Sequence, residues 1–320
     1  MRRLQGSAAI LLGMLAFLLL LSLTGCGSSQ GPASSAGGKQ LTVRDSMDRE
    51  VQVPFQPKRV VVFSASFLEP WHAVGGEVVG RPDSKTKLPE FAREAESVGA
   101  VYRIDMEKVL ALQPDLVIVN DGMNEKLLKT LEMNHIPAIV VSMKSYAEVQ
   151  QEVRLFAQIT GEKEKGDALL QSMDEKIHQV QQRLPQGQTK RIAILHSTAQ
   201  GLSVQLDGSI AGSTAKMLGF ENVAASMKPL ENNQDAAPYS IETLVEQNPD
   251  ILFITSMGRL EDIKASMQKT IDENPAWQSI PAIQTKQYYY LPQEEFLLSP
   301  GIHYPEAVET MAKLVYPEAF

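Results

Sequence analysis

Cysteine is almost absent from this chain, because Cys26 is the only one among 320 residues. A single cysteine excludes any disulfide within the chain. Aromatic residues make up only 6% of the sequence, so an extensively aromatic cleft is not expected. Basic residues are outnumbered, 30 against 38 acidic ones, and form no cluster. Nucleic acid and anionic lipid are therefore not expected partners.

Long apolar runs are also missing, apart from one near the amino terminus. Arg2 and Arg3 precede an apolar stretch from Ala8 to Leu21, and the four residues ending at Cys26 read Leu-Thr-Gly-Cys. The stretch is too short for a stable transmembrane span and is typical of a secretory signal, residues 1–25. The Leu-x-Gly-Cys sequence resembles the lipobox of bacterial lipoproteins, which implies a lipid on Cys26. A lipidated Cys26 cannot serve in catalysis.

The remaining chain divides by composition into an acidic body behind a short tether. Without residues 1–25 the chain has 28 basic and 38 acidic residues, a net charge of about −10 with histidine neutral. Residues 26–39 are rich in Ser, Gly and Ala, which predicts a flexible tether. We expect a first lobe over 40–144, an interlobe helix region over 145–186 and a second lobe over 187–320.

Two matching phrases support the division into lobes. Glu107 precedes the Pro-Asp at 114–115 by seven positions, and Glu242 precedes the Pro-Asp at 249–250 by the same spacing. An apolar run follows each phrase, and a Lys-Arg pair with another apolar run precedes each, from 58 and from 190. The chain therefore reads as two similar halves.

Short apolar runs alternate with helical patterns in both halves, which predicts an α/β fold with mainly parallel sheets. The segment between the halves has apolar residues at helical spacing, with Gly161 as a break. It predicts one long, rigid helix joining two Rossmann-like lobes, with a ligand cleft at the carboxyl ends of their strands. The predicted strands are 60–63, 116–119, 138–141, 192–195, 251–254 and 287–291, and a closing helix is predicted over 304–314.

These phrases, the lipobox and the interlobe helix together resemble the substrate-binding lipoproteins of bacterial ABC importers for iron complexes and vitamin B12. The segments 53–60, 274–283 and 299–307 fit the same family, so the resemblance covers residues 41 to 318. It implies a monomeric, non-enzymatic receptor that is tethered to the outer face of the membrane and delivers its ligand to a permease dimer with ATPase subunits. It also implies that Glu107 and Glu242 dock onto the permease, one from each lobe. Each glutamate would in any case favour its helix amino terminus.

The family's ligands are heme, ferric siderophores and corrinoids, with no intrinsic cofactor. Heme-binding members take iron ligands from the two loops that correspond to those of Tyr102 and Met257. Tyrosinate and thioether both ligate heme iron, so the resemblance makes these two residues candidate iron ligands. Arg103 and Arg259 could meet the propionates of heme bidentately, and with Tyr239 and Phe296 they would also suit a hydroxamate or catecholate siderophore.

Further candidates for ligand contact are Met123, Tyr239 and His303, with Ser64 to Ser66, Asp121 and the His-Ser-Thr at 196–198 at other predicted strand ends. No histidine clusters with acidic residues at the close spacing of a free-metal site. A corrinoid is the alternative cargo, although it favours more aromatic walls than this chain offers.

Two other function classes fit the sequence less well. A secreted two-lobed enzyme is disfavoured because no Gly-x-Ser-x-Gly, phosphate-binding or His-Glu-x-x-His motif occurs. An adhesion or sensor lipoprotein would differ from a receptor by failing to stimulate any ABC ATPase.

Overall fold

A computed structural model describes residues 38–84, 88–185, 187, 189–198 and 201–320. The predicted signal, Cys26 and nearly all of the predicted tether lie outside the described residues. Among the described helices, none combines the length and the apolar character needed to cross a membrane.

The first lobe contains a β-hairpin and an α/β layer. Its strands β6-β5-β4-β3-β7-β8 lie side by side in that order, and all are parallel except β6, which is antiparallel to β5. The strands are β1 (Gln40–Arg44), β2 (Glu50–Pro54), β3 (Val60–Val62), β4 (Gly80–Asp83), β5 (Glu96–Ala100), β6 (Arg103–Ile104), β7 (Leu116–Asn120) and β8 (Ala138–Val141). The helices are α1 (Leu68–Ala73), α2 (Met106–Ala111) and α3 (Leu128–Met133).

Two helices, α4 (Tyr146–Thr160) and α5 (Lys163–Arg183), connect the lobes where the sequence predicted one. Ser145 and Glu148 form a capping box that starts α4. Gly161 ends it with a left-handed φ of 79°, and a Cβ there would lie 2.7 Å from the Phe55 ring. The break foreseen at Gly161 is therefore real, and the 21-residue α5 is the long helix that leads into the second lobe.

The second lobe is built around a sheet of order β12-β10-β9-β13-β14, with β11 also pairing with β9. The strands β11, β13 and β14 run parallel to their neighbours, whereas β10 is antiparallel to both β9 and β12. Its strands are β9 (Arg191–Thr198), β10 (Gly201–Gln205), β11 (Glu221–Asn222), β12 (Ala236–Pro238), β13 (Ile251–Ser256) and β14 (Tyr288–Tyr290). Its helices are α6 (Ile210–Met217), α7 (Ile241–Gln247), α8 (Leu260–Glu273), α9 (Pro281–Gln284), α10 (Gln293–Phe296) and α11 (Tyr304–Val315).

One hydrophobic core runs through both lobes. It joins one face of each sheet, represented by Val60 and Ile192, to buried side chains of α4, α5 and α11. The opposite faces belong to separate cores, one around Val61 in the first lobe and one around Leu195 in the second. Because the shared core is continuous, a large rotation of one lobe against the other would expose buried apolar surface.

The repeated sequence phrases form the same local structure in both lobes. A helix, α2 or α7, is followed by a residue in the left-handed region, Gln113 (φ 46°) or Asn248 (φ 52°). A proline comes next, and the aspartate after it leads into β7 or β13. The left-handed residue ends the helix, and the proline prevents its continuation.

The aspartate of each phrase holds the start of the neighbouring strand. Asp115 accepts hydrogen bonds from the backbone amides of Lys58 (2.7 Å) and Arg59 (2.9 Å). Asp250 accepts one from the amide of Arg191 (3.0 Å). The Lys-Arg and Pro-Asp pairs meet at the amino ends of adjacent parallel strands. This contact explains why the two pairs have a similar separation along the sequence in both lobes.

Replacing Asp115 by alanine is expected to destabilise the protein more than replacing Asp250. The first change leaves two strand amides without their carboxylate and should cost up to about 2 kcal/mol, whereas the second leaves one and should cost about 1 kcal/mol or less. Urea unfolding measures both, with Asp167→Ala on the exposed side of α5 as the control. Costs no larger than that of Asp167→Ala would show that water replaces these carboxylates without loss.

Candidate functional site

Most predicted ligand residues lie in loops that follow the carboxyl ends of parallel strands. Tyr102 and Arg103 follow β5, Met123 follows β7, and Met257 and Arg259 follow β13. Large apolar side chains are normally covered, yet Tyr102 is 74% exposed, Met257 60% and Met123 50%. This edge of an α/β sheet is where ligands usually bind.

A concavity of about 780 Å³ lies in the first lobe beside Tyr102. Its lining includes Tyr102, Arg103 and Glu107, together with Asp83 and Lys108. It is open to solvent and carries charges of both signs. The sequence assigned Tyr102 to ligand binding and Glu107 to docking, and the structure brings the two residues to one concavity.

The backbone holds this region as a tight unit. Gly99 has a φ of 96°, and a Cβ there would lie 2.7 Å from the carbonyl oxygen of Arg103. The amide of Asp105 donates to the carbonyl of Val98 at 2.8 Å, and its carboxylate caps α2 by accepting from the amide of Glu107 at 3.0 Å. A glycine at position 99 is therefore required for the turn that presents Tyr102.

The loop of Met123 is tied to the loop of Tyr102. The side-chain amide of the buried Asn124 donates to the carbonyl oxygen of Val101 at 2.7 Å. Met123 and Tyr102 therefore belong to one continuous rim of the first lobe.

In the second lobe, the loop of Met257 is tied to the end of β9. The amide of Met257 donates to the carbonyl of Ser197 at 3.3 Å, and the side chain of Gln293 donates to the carbonyl of Gly258 at 2.5 Å. The Arg259 side chain is 83% exposed and lies 3.7 Å from the carboxylate of Asp262. Such an exposed pair contributes little energy, so the guanidinium is available to an anion.

Tyr239 lies in the turn between β12 and α7, and Glu242 lies in the first turn of α7. The ring of Tyr239 stacks on buried Trp277 with centroids 6.2 Å apart, and burial, with the charge of Glu242, raises the pKa of its phenol to about 12. Tyr239 is therefore a neutral hydrogen-bonding group at physiological pH. The pKa of Glu242 is lowered by its own backbone amide and by the hydroxyl of Ser240, so its exposed carboxylate is ionised.

His303, another predicted ligand residue, lies against Glu69 of α1, to which its Nε2 is hydrogen-bonded. The turn that carries it packs on the first lobe, because a Cβ on Gly301 would lie 3.3 Å from the carbonyl oxygen of Ser66. Ser299 donates to the carbonyl of Met143 at 2.5 Å. His303 is thus part of a contact that joins the chain before α11 to the first lobe.

A charged contact between the lobes is absent from the predictions made from the sequence. Lys144, after β8, pairs with Asp235, before β12, at 2.9 Å. Burial raises the pKa of nearby Asp121, an effect that Lys144 opposes and Glu125 reinforces. No sequence motif marks Lys144 or Asp235, because their meeting depends on how the lobes pack.

The described part of the chain holds no group of three or more His, Cys, Asp or Glu residues that could bind a metal ion. The candidate iron ligands are instead single side chains on separate loops.

This sequence and fold are similar to those of known bacterial binding proteins. The sequence profile of the family described as "Periplasmic binding protein" matches residues 60–295. The chain is 28% identical over 325 residues to the Fe(3+)-citrate-binding protein YfmC of Bacillus subtilis, with 97% of each chain covered.

Solved structures with the same fold include two bacterial binding proteins. An ABC transporter substrate-binding protein from Listeria monocytogenes superimposes with a TM-score of 0.74 at 22% identity, covering 82% of this chain and 99% of that one. IsdE of S. aureus complexed with heme gives a TM-score of 0.71 at 20% identity, covering 81% and 98%. At these identities the likeness establishes the two-lobed fold, as the sequence predicted.

Proposed function

We propose that this chain, which belongs to the periplasmic binding protein family because that profile matches residues 60–295, captures an iron complex outside the cytoplasm and delivers it to an ABC importer. Its partners are a permease dimer and the associated ATPase subunits. The similarity to an Fe(3+)-citrate-binding protein over nearly the whole chain supports an iron complex as cargo. Capture and release without turnover distinguish this function from that of an enzyme.

The observation that carries the proposal is the exposure of apolar side chains at the strand ends. Eight large apolar side chains are exposed among the described residues, and four of them, Tyr102, Met123, Met257 and Leu260, come within four residues of the carboxyl ends of β5, β7 and β13. Exposed apolar groups at the carboxyl ends of parallel strands indicate a binding surface, and one of them, Tyr102, also lines the concavity of the first lobe. They fit the organic part of a heme or a siderophore.

Arg103 and Arg259 supply the complementary charge. Both are exposed, and each stands beside a candidate iron ligand, Tyr102 or Met257. Guanidinium groups bind carboxylates bidentately, and both propionates and citrate present them. Heme and ferric siderophores therefore both fit this rim, and a corrinoid is the alternative cargo.

The proposal includes the arrangement of the chain at the membrane. Residues 1–25 form the signal, Cys26 carries the lipid, and residues up to 39 form the tether to the outer face of the membrane. The lobes extend over 40–144 and 187–320, with the connecting region between them. The protein acts as a monomer.

The test is an absorbance titration of residues 27–320 with hemin, and a parallel titration with ferric citrate that follows tryptophan fluorescence. Trp71 and Trp277 are buried, one in each lobe, and report on both. We expect saturable one-to-one binding. If heme is the cargo, Tyr102→Phe or Met257→Ala should weaken it by at least the roughly 10- to 100-fold cost that is typical of residues supporting a metal site.

Matched controls separate ligation from general damage. Met133 is 70% exposed on α3, away from the strand carboxyl ends, so Met133→Ala should leave the titration unchanged. Tyr288→Phe, within β14, serves the same purpose for Tyr102→Phe. A protein that binds neither hemin nor any ferric chelate would refute the proposed function.

A further inference from the structure

The ion pair between Lys144 and Asp235 joins one lobe to the other. Nζ of Lys144, which follows β8, lies 2.9 Å from a carboxylate oxygen of Asp235, which directly precedes β12. Both side chains are partly covered, 41% and 27% exposed, so solvent screens them less than a fully exposed pair. The pair therefore ties the end of an edge strand in the first sheet to the start of an edge strand in the second.

Hydrogen bonds hold the backbone on each side of the pair. The amide of Lys144 donates to the carboxylate of Glu148 at 2.7 Å, and its carbonyl accepts from the buried phenol of Tyr304 at 3.3 Å. The carbonyl of Asp235 accepts from the amide of Leu206 at 2.9 Å. Because both backbones are fixed within their surroundings, the distance between the ammonium and the carboxylate follows the separation of the lobes.

Gly208 leaves the space that the carboxylate of Asp235 occupies. It lies in the turn between β10 and α6, and a Cβ there would be 2.7 Å from Oδ1 of Asp235. Among the described residues, only the side chain of Asp235 comes within 4 Å of that position. Gly208→Ala would therefore displace the carboxylate and disturb little else, which breaks the pair without removing either charge.

The ammonium of Lys144 is charged in these surroundings. Burial opposes its charge, but the hydrogen bond and the charge of Asp235, with the charges of two first-lobe carboxylates, raise the pKa of Lys144. Those two carboxylates belong to Asp121 and Glu148. Opposite charges attract each other more strongly where solvent is partly excluded. Electrostatic attraction therefore draws the lobes together at this point.

The shared core limits how far the lobes can turn. It joins α4, α5 and α11 to both sheets, so only a small rotation is possible without exposing much apolar surface. A small rotation is still enough to separate Lys144 from Asp235. The pair is thus sensitive to the changes of angle that the core permits, and the rims that carry Tyr102 and Met257 follow the same angle.

We propose that Lys144 and Asp235 are positioning residues, which hold the lobes at the angle at which the two rims face the same cargo. This inference rests on the proposed function, because the cargo is what the rims share. A cleft that already has the binding angle loses less freedom on capture and binds more tightly. Neither residue needs to contact the cargo.

The first test measures the angle without any cargo. Residues 27–320 contain no cysteine, so Met133→Cys on α3 and Ser266→Cys on α8, both exposed, place one spin label on each lobe. Electron paramagnetic resonance should give one narrow distance for the labelled protein, and a longer or broader one after Lys144→Met or Gly208→Ala. Added salt should broaden the distances of the labelled protein but not those of Lys144→Met.

The second test measures capture with two probes, hemin and ferric citrate. Lys144→Met and Asp235→Asn should each weaken binding of whichever probe the wild type takes up, by roughly 3- to 10-fold. The double variant should bind no more weakly than either single one, because the same interaction is lost in all three. Lys269→Met removes an exposed pair with Glu273 within α8, so as the control it should change neither affinity nor distance.

Each contrary result is distinct. Distances that stay the same in Lys144→Met and Gly208→Ala, or that change with no change of affinity, would overturn the positioning role and leave the proposed function standing. Tighter binding by Asp235→Asn would also overturn it, because Lys144 would then contact an anionic cargo directly. A wild type that binds neither probe would overturn the proposed function and, with it, the link between this angle and capture.

Discussion

Replacing Glu107 and Glu242 together by alanine is expected to abolish uptake of the iron complex while leaving its binding intact. Both glutamates are exposed at the second position of a capped helix, α2 after Asp105 and α7 after Ser240. The side chains of Asp105 and Ser240 accept hydrogen bonds from backbone amides of the first helical turn. The carboxylates of Glu107 and Glu242 are therefore not needed as caps and can contact cationic groups of a partner. Uptake of labelled iron by cells, and stimulation of the importer's ATPase, measure the loss.

The controls for this prediction are also glutamates. Glu132 on α3 and Glu246 near the end of α7 are exposed but do not lie in the first turn of a helix, so Glu132→Ala with Glu246→Ala should leave uptake unchanged. Ligand affinity is measured for each single variant as well, because Glu107 lines the concavity beside Tyr102. A weaker affinity for Glu107→Ala would contradict the separation of docking from binding, and undiminished uptake by the double variant would contradict docking itself.

The repeated phrases made the architecture predictable. The predicted strands 60–63, 116–119 and 138–141 correspond to β3, β7 and β8, and 192–195, 251–254 and 287–291 correspond to β9, β13 and β14. Five of these strands are buried and β14 is half-buried, and the buried ones have continuous apolar runs as their sequences. The strand β4, Gly-Arg-Pro-Asp, lies between β5 and β3 but was missed, because a short polar segment that contains proline has no such pattern.

The site was less predictable, because it depends on tertiary contacts. Tyr102, Met123 and Met257 could be placed at strand ends from the sequence, and the structure exposes them there. Neither the contact of His303 with Glu69 nor that of Lys144 with Asp235 leaves any sequence signal, since each joins segments far apart in the chain. Whether the candidate residues contact a ligand stays a prediction.

A buried carboxyl in the first lobe was overlooked although the sequence contains its signal. Glu152 is three residues after Val149 and four before Phe156, so it falls on the apolar face of α4. It is 1% exposed, and one carboxyl oxygen accepts from Ser46 at 2.5 Å while the other has no partner among the described residues. Burial raises the pKa of Glu152 to about 8, and the nearby charges of Asp45 and Glu148 act in the same direction.

This carboxyl should make the protein less stable as the pH rises from about 4.5 to about 8. In that range the folded protein keeps the proton on Glu152 while the unfolded chain, with an ordinary pKa near 4.5, has lost it. The unfolding free energy then falls by about 1.4 kcal/mol per pH unit, up to roughly 5 kcal/mol in all. Glu152→Gln stays neutral in both states, so it should equal wild type near pH 5 and exceed it in stability at pH 8.

Urea unfolding at pH 5 and pH 8, followed by tryptophan fluorescence, measures this difference. Trp71 of α1 contacts Phe156, which lies on the same helix as Glu152, with 5.2 Å between the ring centroids. The emission of Trp71 therefore reports on the lobe that contains Glu152. Glu164→Gln, exposed on α5, is the matched control and should follow the wild-type pH dependence. Other carboxyl groups contribute equally to wild type and variant, so only the difference between their curves is interpreted. Parallel curves for wild type and Glu152→Gln would mean that Glu152 is ionised in the folded protein, with water or a cation reaching its free oxygen.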